Sequence, residues 1–254
     1  MSKQFFWLTK AQFAKIKPYL PTDTRGVKRV DDRRVISGIV HVLKTGGRWV
    51  DAPRDQYGPH KTLYNRYVRW TEKGVWSDLF HALASAGGPP AEVLIDSTAV
   101  RAHRSAAGGK GGNLGQAIGR SRGGRTTKIH SLTDELCRPI AFYLTGGNVA
   151  DCIAGEALLS DMPIGSIVLH GDKGYDSDRF RQLVSDRDVA PNIPPKTNRR
   201  YKPGFFKSLY RNRNAVERSF CRLKDFRRIA TRYDRLARNF LAAIQLTATV
   251  CYWL

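Results

Sequence analysis

Two short apolar runs in this chain each end in a carboxylate: AEVLID closes on Asp96 and GSIVLHGD closes on Asp172. Each run reads as a buried strand, so neighbouring places in one sheet would bring the two side chains to a common edge. A third acid, Glu217, lies in YRNRNAVERSFCRLK, a helical stretch that could cross that edge. Carboxylate oxygens are hard ligands suited to Mg²⁺ or Mn²⁺, and three acids suffice to bridge two such ions. Phosphodiester chemistry uses such a pair to clamp its attacking and leaving oxygens. Without a cation, acids gathered in this way repel and raise one another's pKa. A single Asp at a strand end is more often a turn former or helix cap, so the chemistry rests on the three together.

Around Glu217, the residues Tyr210, Arg213, Glu217 and Lys224 are separated by two, three and six residues and can share one helical face. Arg213 and Glu217 fall within one turn, and Lys224 lies two turns past the acid, where it can reach a phosphate. A surface ladder of ion pairs would give the same pattern.

The charge balance points to the same class of partner. With 43 Lys and Arg against 22 Asp and Glu, the 254-residue chain carries +21, far more than solubility requires. Nucleic acid is the natural polyanion. A ribosomal-type or membrane-surface basic protein is the alternative, but five Trp and ordinary apolar segments mark a folded enzyme or binder. Cys137, Cys152, Cys221 and Cys251 have no paired spacing, which suggests neither a zinc site nor a disulfide framework. Neither end of the chain reads as a signal peptide or membrane span, so a cytoplasmic protein with no membrane partner is expected.

The elements that must position these residues fall into two blocks. In DDRRVISGIVHVLKTG, over residues 31–46, Val35, Ile39, Val42 and Leu43 share a helical face, and Asp31 or Asp32 can cap its start. HKTLYNRYVRWTEKG sets Leu63, Tyr67 and Trp70 on one face, with Lys61, Arg66 and Arg69 on the others as candidate DNA contacts. VWSDLFHALAS reads as a third helix. Two helices across a glycine turn resemble a helix-turn-helix, while a plain helical bundle with solvated charges has the same pattern. GGPP then breaks the chain, dividing a helical DNA-binding domain at 1–88 from a catalytic domain at 89–254.

Beyond the first Asp strand, residues 105–125 are a Gly, Ser and basic loop that fits neither the phosphate-loop nor the dinucleotide glycine pattern. TTKIHSLTDELCRPIAFYLTGG predicts two strands with a turn at residues 134–139. A helix with Asp151 as its cap follows, then the Asp172 strand, a helix over 177–185, a short strand at 189–193, the basic loop PPKTNRRYKPGFFKS, and a long helical stretch from about residue 212. The fold class is α/β, a mixed sheet with helices on both faces. Asp176 reads as a cap and Asp178 as a solvated acid. His103 and Lys128 are candidate phosphate contacts, and His130 reads as structural.

With these motifs assembled, the sequence resembles the bacterial insertion-sequence transposases that carry an Asp-Asp-Glu triad, in the branch marked by a Tyr-Arg-Glu-Lys signature. The signature here is Tyr210, Arg213, Glu217 and Lys224. The resemblance runs through GGRWVDAPRDQYGPHKTLYNRYVRW, LIDSTAVRAHRSA, GGRTTKIHSLTDELCRPIAFYLTGG and HGDKGYDSDRF. Within that branch the pattern is similar to the insertion-sequence group numbered five, with a short connection between the second Asp and the Glu. Cys137 departs from it, standing where Gly is expected in the hairpin turn.

The resemblance implies a ribonuclease-H-like catalytic domain with Asp96 on its first strand, Asp172 after its fourth and Glu217 on a later helix. It implies two Mg²⁺ ions, replaceable by Mn²⁺, on those acids. Activated water would cut the element end, and the freed 3′-hydroxyl would attack target DNA with no covalent protein intermediate. Arg213 and Lys224 would hold phosphates and Tyr210 would sit beside the flanking nucleotide. The implied partners are terminal inverted repeats, target DNA and a second subunit in the DNA complex, at the nucleoid of a bacterial cytoplasm. A DNA-binding repressor of transposition that no longer cuts is the competing class, and an intact triad argues against it. A nuclease with the same core would cut without joining.

Overall fold

In the computed structural model, which describes residues 5–22, 29–210 and 215–254, the first helices begin where side chains satisfy their free N–H groups. Thr9 and Gln12 close a capping box at the head of α1 (Lys10–Ile16). Asp31 accepts from the Arg33 N–H at 2.9 Å at the head of α2 (Asp32–Thr45), and Gly46 ends α2 with φ 78°, in the left-handed region. The predicted apolar face of α2 is buried, and so are Ile36, Val40 and His41, because neighbours surround the helix. Two of these neighbours are α3 (Arg54–Tyr57) and α4 (His60–Glu72). A Cβ on Gly38 would stand 2.7 Å from Tyr57 Cβ, so only glycine admits this approach.

As its spacing predicts, α4 buries Leu63, Tyr67 and Trp70, and α5 (Val75–Ser85) follows. The segment 46–59 between α2 and α4 carries a 3₁₀ turn at Trp49–Asp51 as well as α3. That is a longer link than the three- or four-residue turn of a minimal helix-turn-helix.

Among the described residues the sheet has seven strands: β1 (Glu92–Ala102), β2 (Gly119–Ser121), β3 (Gly124–Asp134), β4 (Pro139–Gly146), β5 (Val168–His170), β6 (Ala190–Asn192) and β7 (Thr231–Arg232). Their order is β2-β3-β1-β5-β6, with β4 also on β3 and β7 also on β1. β3 is antiparallel to β1, β2 and β4, whereas β5 runs parallel to β1 and β6. The sheet is mixed, as expected.

Side chains alternate across β1, so Val93 and Ile95 enter one apolar cluster and Leu94 and Val100 another. A four-residue helical turn, α6 (Gly112–Gly115), precedes β2. The Val93 face is covered by α7 (Asp151–Leu158) and α8 (Asp178–Ser185), which contribute Leu158, Phe180 and Val184. The Leu94 face is covered by α2, α4 and α5 together with α9 (Ala215–Lys224), α10 (Arg227–Ala230) and α11 (Ala237–Ala248). Early and late helices thus enclose one core, in which Ile39, Leu63 and Phe80 join Phe220, Phe240 and Ile244.

Three sequence expectations change here. β1 does not end at Asp96 but continues to Ala102, because residues 97–101 pair with β3 and the last two strand residues pair with β7. The stretch after residue 212 is not one helix. Phe226 leaves helical geometry at φ −84° and ψ 108° and buries its ring in the core, and the chain resumes as α10, β7 and α11. The loop at 105–125 contains α6 and β2.

Candidate functional site

Parallel pairing of β1 with β5 sets Val93 beside Leu169 and Leu94 beside His170. Two residues further along each chain stand Asp96 and Asp172. The alignment holds past the end of β5, since a Cβ on Gly171 would lie 3.0 Å from Ile95 Cγ2. β5 stops at His170 while β1 runs on, so the two acids lie where the parallel neighbour leaves the sheet. Asp96 is 8% exposed and its Oδ1 accepts the Ser97 N–H at 2.8 Å. Asp172 Oδ1 accepts the Gly174 N–H at 2.8 Å, which turns the chain into the 3₁₀ segment Lys173–Tyr175.

Gly174 keeps open a gap between carboxylates. A Cβ there would stand 2.9 Å from Asp172 Oδ1 and 3.1 Å from Asp151 Oδ2. The neighbouring Tyr175 is fully buried, and its hydroxyl lies close to Ser97 without a hydrogen bond of ordinary geometry. Burial first, and then the carboxylates of Asp151, Asp96 and Asp172, push its pKa well above the usual phenol value, so it keeps its proton. Hard oxygen donors, a gap kept by glycine and a buried hydroxyl near the same acids fit a divalent cation.

Asp151 is not the cap that its position suggested. Ala150 occupies that place, and Asp151, the first residue of α7, turns its side chain to the site. Its Oδ1 accepts from the Ser97 hydroxyl at 2.8 Å and from Lys128 Nζ at 3.1 Å, leaving Oδ2 toward Gly174. Lys128, a candidate phosphate contact from sequence, also donates to the Val149 carbonyl at 2.8 Å. His130 is buried, with Nε2 2.8 Å from Thr145 Oγ1 and Nδ1 3.8 Å from Asp151 Oδ1. Burial lowers its pKa to about 4, so the ring is neutral and structural.

Glu217 is exposed in the first turn of α9, which packs on β1. Lys224 of the same helix donates through Nζ to Thr98 Oγ1 at 2.6 Å and to the Ala99 carbonyl at 3.3 Å. Burial lowers the Lys224 pKa from the usual lysine value. Thr98 lies two residues past Asp96 and therefore on the same side of β1, so α9 covers the Asp96 face while α7 reaches the site from the Ser97 face. Asp96 and Asp172 are brought together. Among the described residues no three His, Cys, Asp or Glu side chains, Glu217 and Asp151 included, close into an ion-holding group.

The other predicted contacts are dispersed. Arg213 lies outside the described residues. The Tyr210 ring meets Phe205 edge-on at 5.1 Å. His103 is exposed after β1, accepts from the Ser105 N–H and packs on Tyr233 at 5.0 Å. Lys61 and Arg69 are exposed on α4, but Arg66 pairs with Asp32 and lies 4.7 Å over the Trp70 ring. Asp176 is not a cap either. Ser177 caps α8, and Asp176 is buried between Arg181 and Arg199. Asp178 is 88% exposed, as a solvated acid should be, and pairs with Arg199. Cys137 adopts φ 60° in a turn closed by Asp134 Oδ1, which accepts the Leu136 and Arg138 N–H groups. A side chain is strained in that left-handed region, where glycine would be free.

Sequence reasoning missed Asp151, Ser97 and Tyr175. The nearest signal was Gly174 within HGDKGY, since a glycine beside an acid can mark a close approach.

Two family models match the chain, one described as "Putative transposase of IS4/5 family" over residues 8–80 and one described as "Transposase DDE domain" over residues 87–254. A Brucella ovis protein named "Putative transposase for insertion sequence element IS6501" is 30% identical over 131 residues, covering 51% of this chain and 98% of that one. A Burkholderia cepacia protein named "Putative transposase for insertion sequence element IS402" is 33% identical over 137 residues, covering 50% of this chain and 63% of the relative. In fold, the chain is similar to the protein in a structure titled "Cryo-EM structure of piggyBac transposase synaptic complex with hairpin DNA (SNHP)". The TM-score is 0.52 at 13% identity, with 95% of this chain and 69% of the other covered. The ribonuclease-H-like arrangement expected from sequence is observed, except that Asp172 follows the fifth strand and not the fourth, because β2 lies in the stretch read as loop.

Proposed function

Because the chain belongs to the DDE-domain transposases of the IS4/5 type, we propose that it binds the terminal inverted repeats of its element, cuts there, and joins the freed ends to target DNA. Asp96, Asp172 and Glu217 are the acids that hold the catalytic cations. The observation that supports this reading is the β1–β5 register, which pairs Leu94 with His170, each two residues before one of the strand acids. Mg²⁺, or Mn²⁺ in its place, supplies when bound the Lewis acidity that displacement at phosphorus needs.

The protein's own groups do the rest. N–H groups of Ser97 and Gly174 orient one oxygen of each strand acid before any ion arrives. Lys224, anchored at Thr98 beside Asp96, holds a DNA phosphate near the cut, and Arg213, Tyr210 and His103 extend that contact along the strand. Residues 1–88 form the DNA-binding part, in which Lys61 and Arg69 are free to meet the backbone, and residues 89–254 form the cutting part. Two subunits pair the two ends. Among the described residues no helix is long and apolar enough to cross a membrane.

The test is end cleavage and strand transfer on labelled duplexes with Mg²⁺. Glu217→Gln and Asp172→Asn should bind the ends and lose both reactions, and a Glu217→Gln variant that cuts at the wild-type rate would refute the assignment. Wild-type protein that binds ends without cutting would be a repressor, and cutting without joining would make it a nuclease. Light scattering on the active complex should give two protein copies per pair of ends.

A further inference from the structure

We infer that Asp151 is a further carboxylate of the cation site, and that it enters from the face of the sheet opposite Glu217. This rests on the reading of Asp96 and Asp172 as cation ligands.

Asp151 Oδ1 is fixed by the Ser97 hydroxyl and Lys128, so the side chain is oriented from two sides. Its other oxygen is turned to the place where a Gly174 side chain would be, and Asp172 Oδ1 borders the same place. One missing methyl group therefore separates two carboxylate oxygens carried by different elements, the start of α7 and the turn after β5. The Tyr175 hydroxyl is an independent indication. It is fully buried, lies near Asp151, Asp96 and Asp172, and makes no hydrogen bond of ordinary geometry among the described residues; its one close partner is Ser97, whose own proton is given to Asp151. A bound divalent cation would give this hydroxyl a further polar neighbour.

The topology explains why two ions need acids from two sides. α7 covers one face of β1 and α9 the other. Asp96 and Asp172 lie at the junction, Asp151 belongs to the α7 side and Glu217 to the α9 side. Asp151 and Glu217 would then offer carboxylates to the ions from opposite faces of the sheet. Lys128, paired to Asp151 at 3.1 Å, balances its charge.

The test is Mn²⁺ binding to the full chain, followed by the electron paramagnetic resonance of free Mn²⁺, with Tb³⁺ luminescence lifetimes as a count of bound water. Asp151→Asn should weaken Mn²⁺ at least about tenfold and raise the water count, with DNA binding in EDTA unchanged. Gly174→Ala, whose methyl would occupy the gap, should weaken Mn²⁺ as much. Asp186→Asn, an exposed acid on the far end of α8, should match wild type. If Asp151→Asn fails to give a cooperative melt, Gly174→Ala carries the test, and wild-type Mn²⁺ affinity in that variant overturns the proposal. Asp151→Asn with wild-type affinity and hydration, while Asp172→Asn loses Mn²⁺, makes Asp151 structural only. Wild-type Mn²⁺ binding by both Asp96→Asn and Asp172→Asn instead removes the underlying reading of the site.

Discussion

Asp176 allows the contribution of one buried acid to be worked out and measured. Its Oδ1 accepts from Arg181 Nε at 2.8 Å, and its Oδ2 accepts from Arg199 Nε and from the Lys196 N–H, both at 2.7 Å. Burial on its own pushes the carboxyl upward, but the bonds from Arg199, Lys196 and Arg181 outweigh it and hold the pKa at about 2. Against about 3.9 for an unfolded aspartate, that difference corresponds to on the order of 2.5 kcal/mol at neutral pH. The folded value is the lower one, so the stabilisation is complete above about pH 5 and is lost as pH falls toward 2, with roughly half gone by pH 3.

Asp176→Asn should therefore lower stability at pH 7 by about 2.5 kcal/mol, and by up to about 5 if Arg181, 9% exposed, is left unpaired inside. Asp178→Asn, which removes a carboxylate 88% exposed, should cost less than about 1 kcal/mol. Urea unfolding at pH 7 and pH 3 measures all three proteins. The reasoning fails if Asp176→Asn unfolds at the wild-type midpoint at pH 7, or if its deficit does not shrink in acid.

Other consequences are equally open to measurement. Lys224→Gln should weaken binding to element ends and reduce the salt dependence by about 0.9 in log–log slope, read by fluorescence anisotropy; an unchanged slope would remove Lys224 from the phosphate contacts. Gly38→Ala would force Tyr57 back from 2.7 Å and should cost about 1–3 kcal/mol in thermal unfolding, whereas a neutral effect would deny the close packing of α2 on Tyr57. His130 is held down to about 4, below its unfolded value near 6.5, so its neutral ring stabilises the fold above about pH 6.5 and that gain is lost as pH falls through 4. Its ring NMR signals should stay fixed from pH 8 to pH 5, and a midpoint near 6.5 would contradict its burial.

Much of the scaffold was legible because apolar spacing and capping are local. Val35 to Leu43 and Leu63 to Trp70 declared their helices, Asp31 its cap, and residues 134–139 their turn. The two Asp strands were legible for the same reason, but the extent of β1 was not, since its second half is held by β3 and β7 from distant sequence. Acids at helix starts look alike in sequence. Asp151 and Asp176 both read as caps, yet Ser97 and Lys128 recruit the first and Arg181 and Arg199 the second, through contacts that no local pattern records. Arg66 looked available for DNA until Asp32 and Trp70 engaged it, and the late helix looked continuous because burial of Phe226 is a tertiary demand.

The shared core of early and late helices has a consequence for how the molecule is made. Tyr67 donates to the Asn239 carbonyl, Gln245 Nε2 to Ser77 at 3.2 Å, and Arg228 to the Gly47 carbonyl at 2.9 Å. During translation, the helices that emerge first must wait, with Ile39, Leu63 and Phe80 uncovered, until α11 leaves the ribosome. A chain interrupted before α11 would leave apolar surface open to other molecules where the finished protein has an interior.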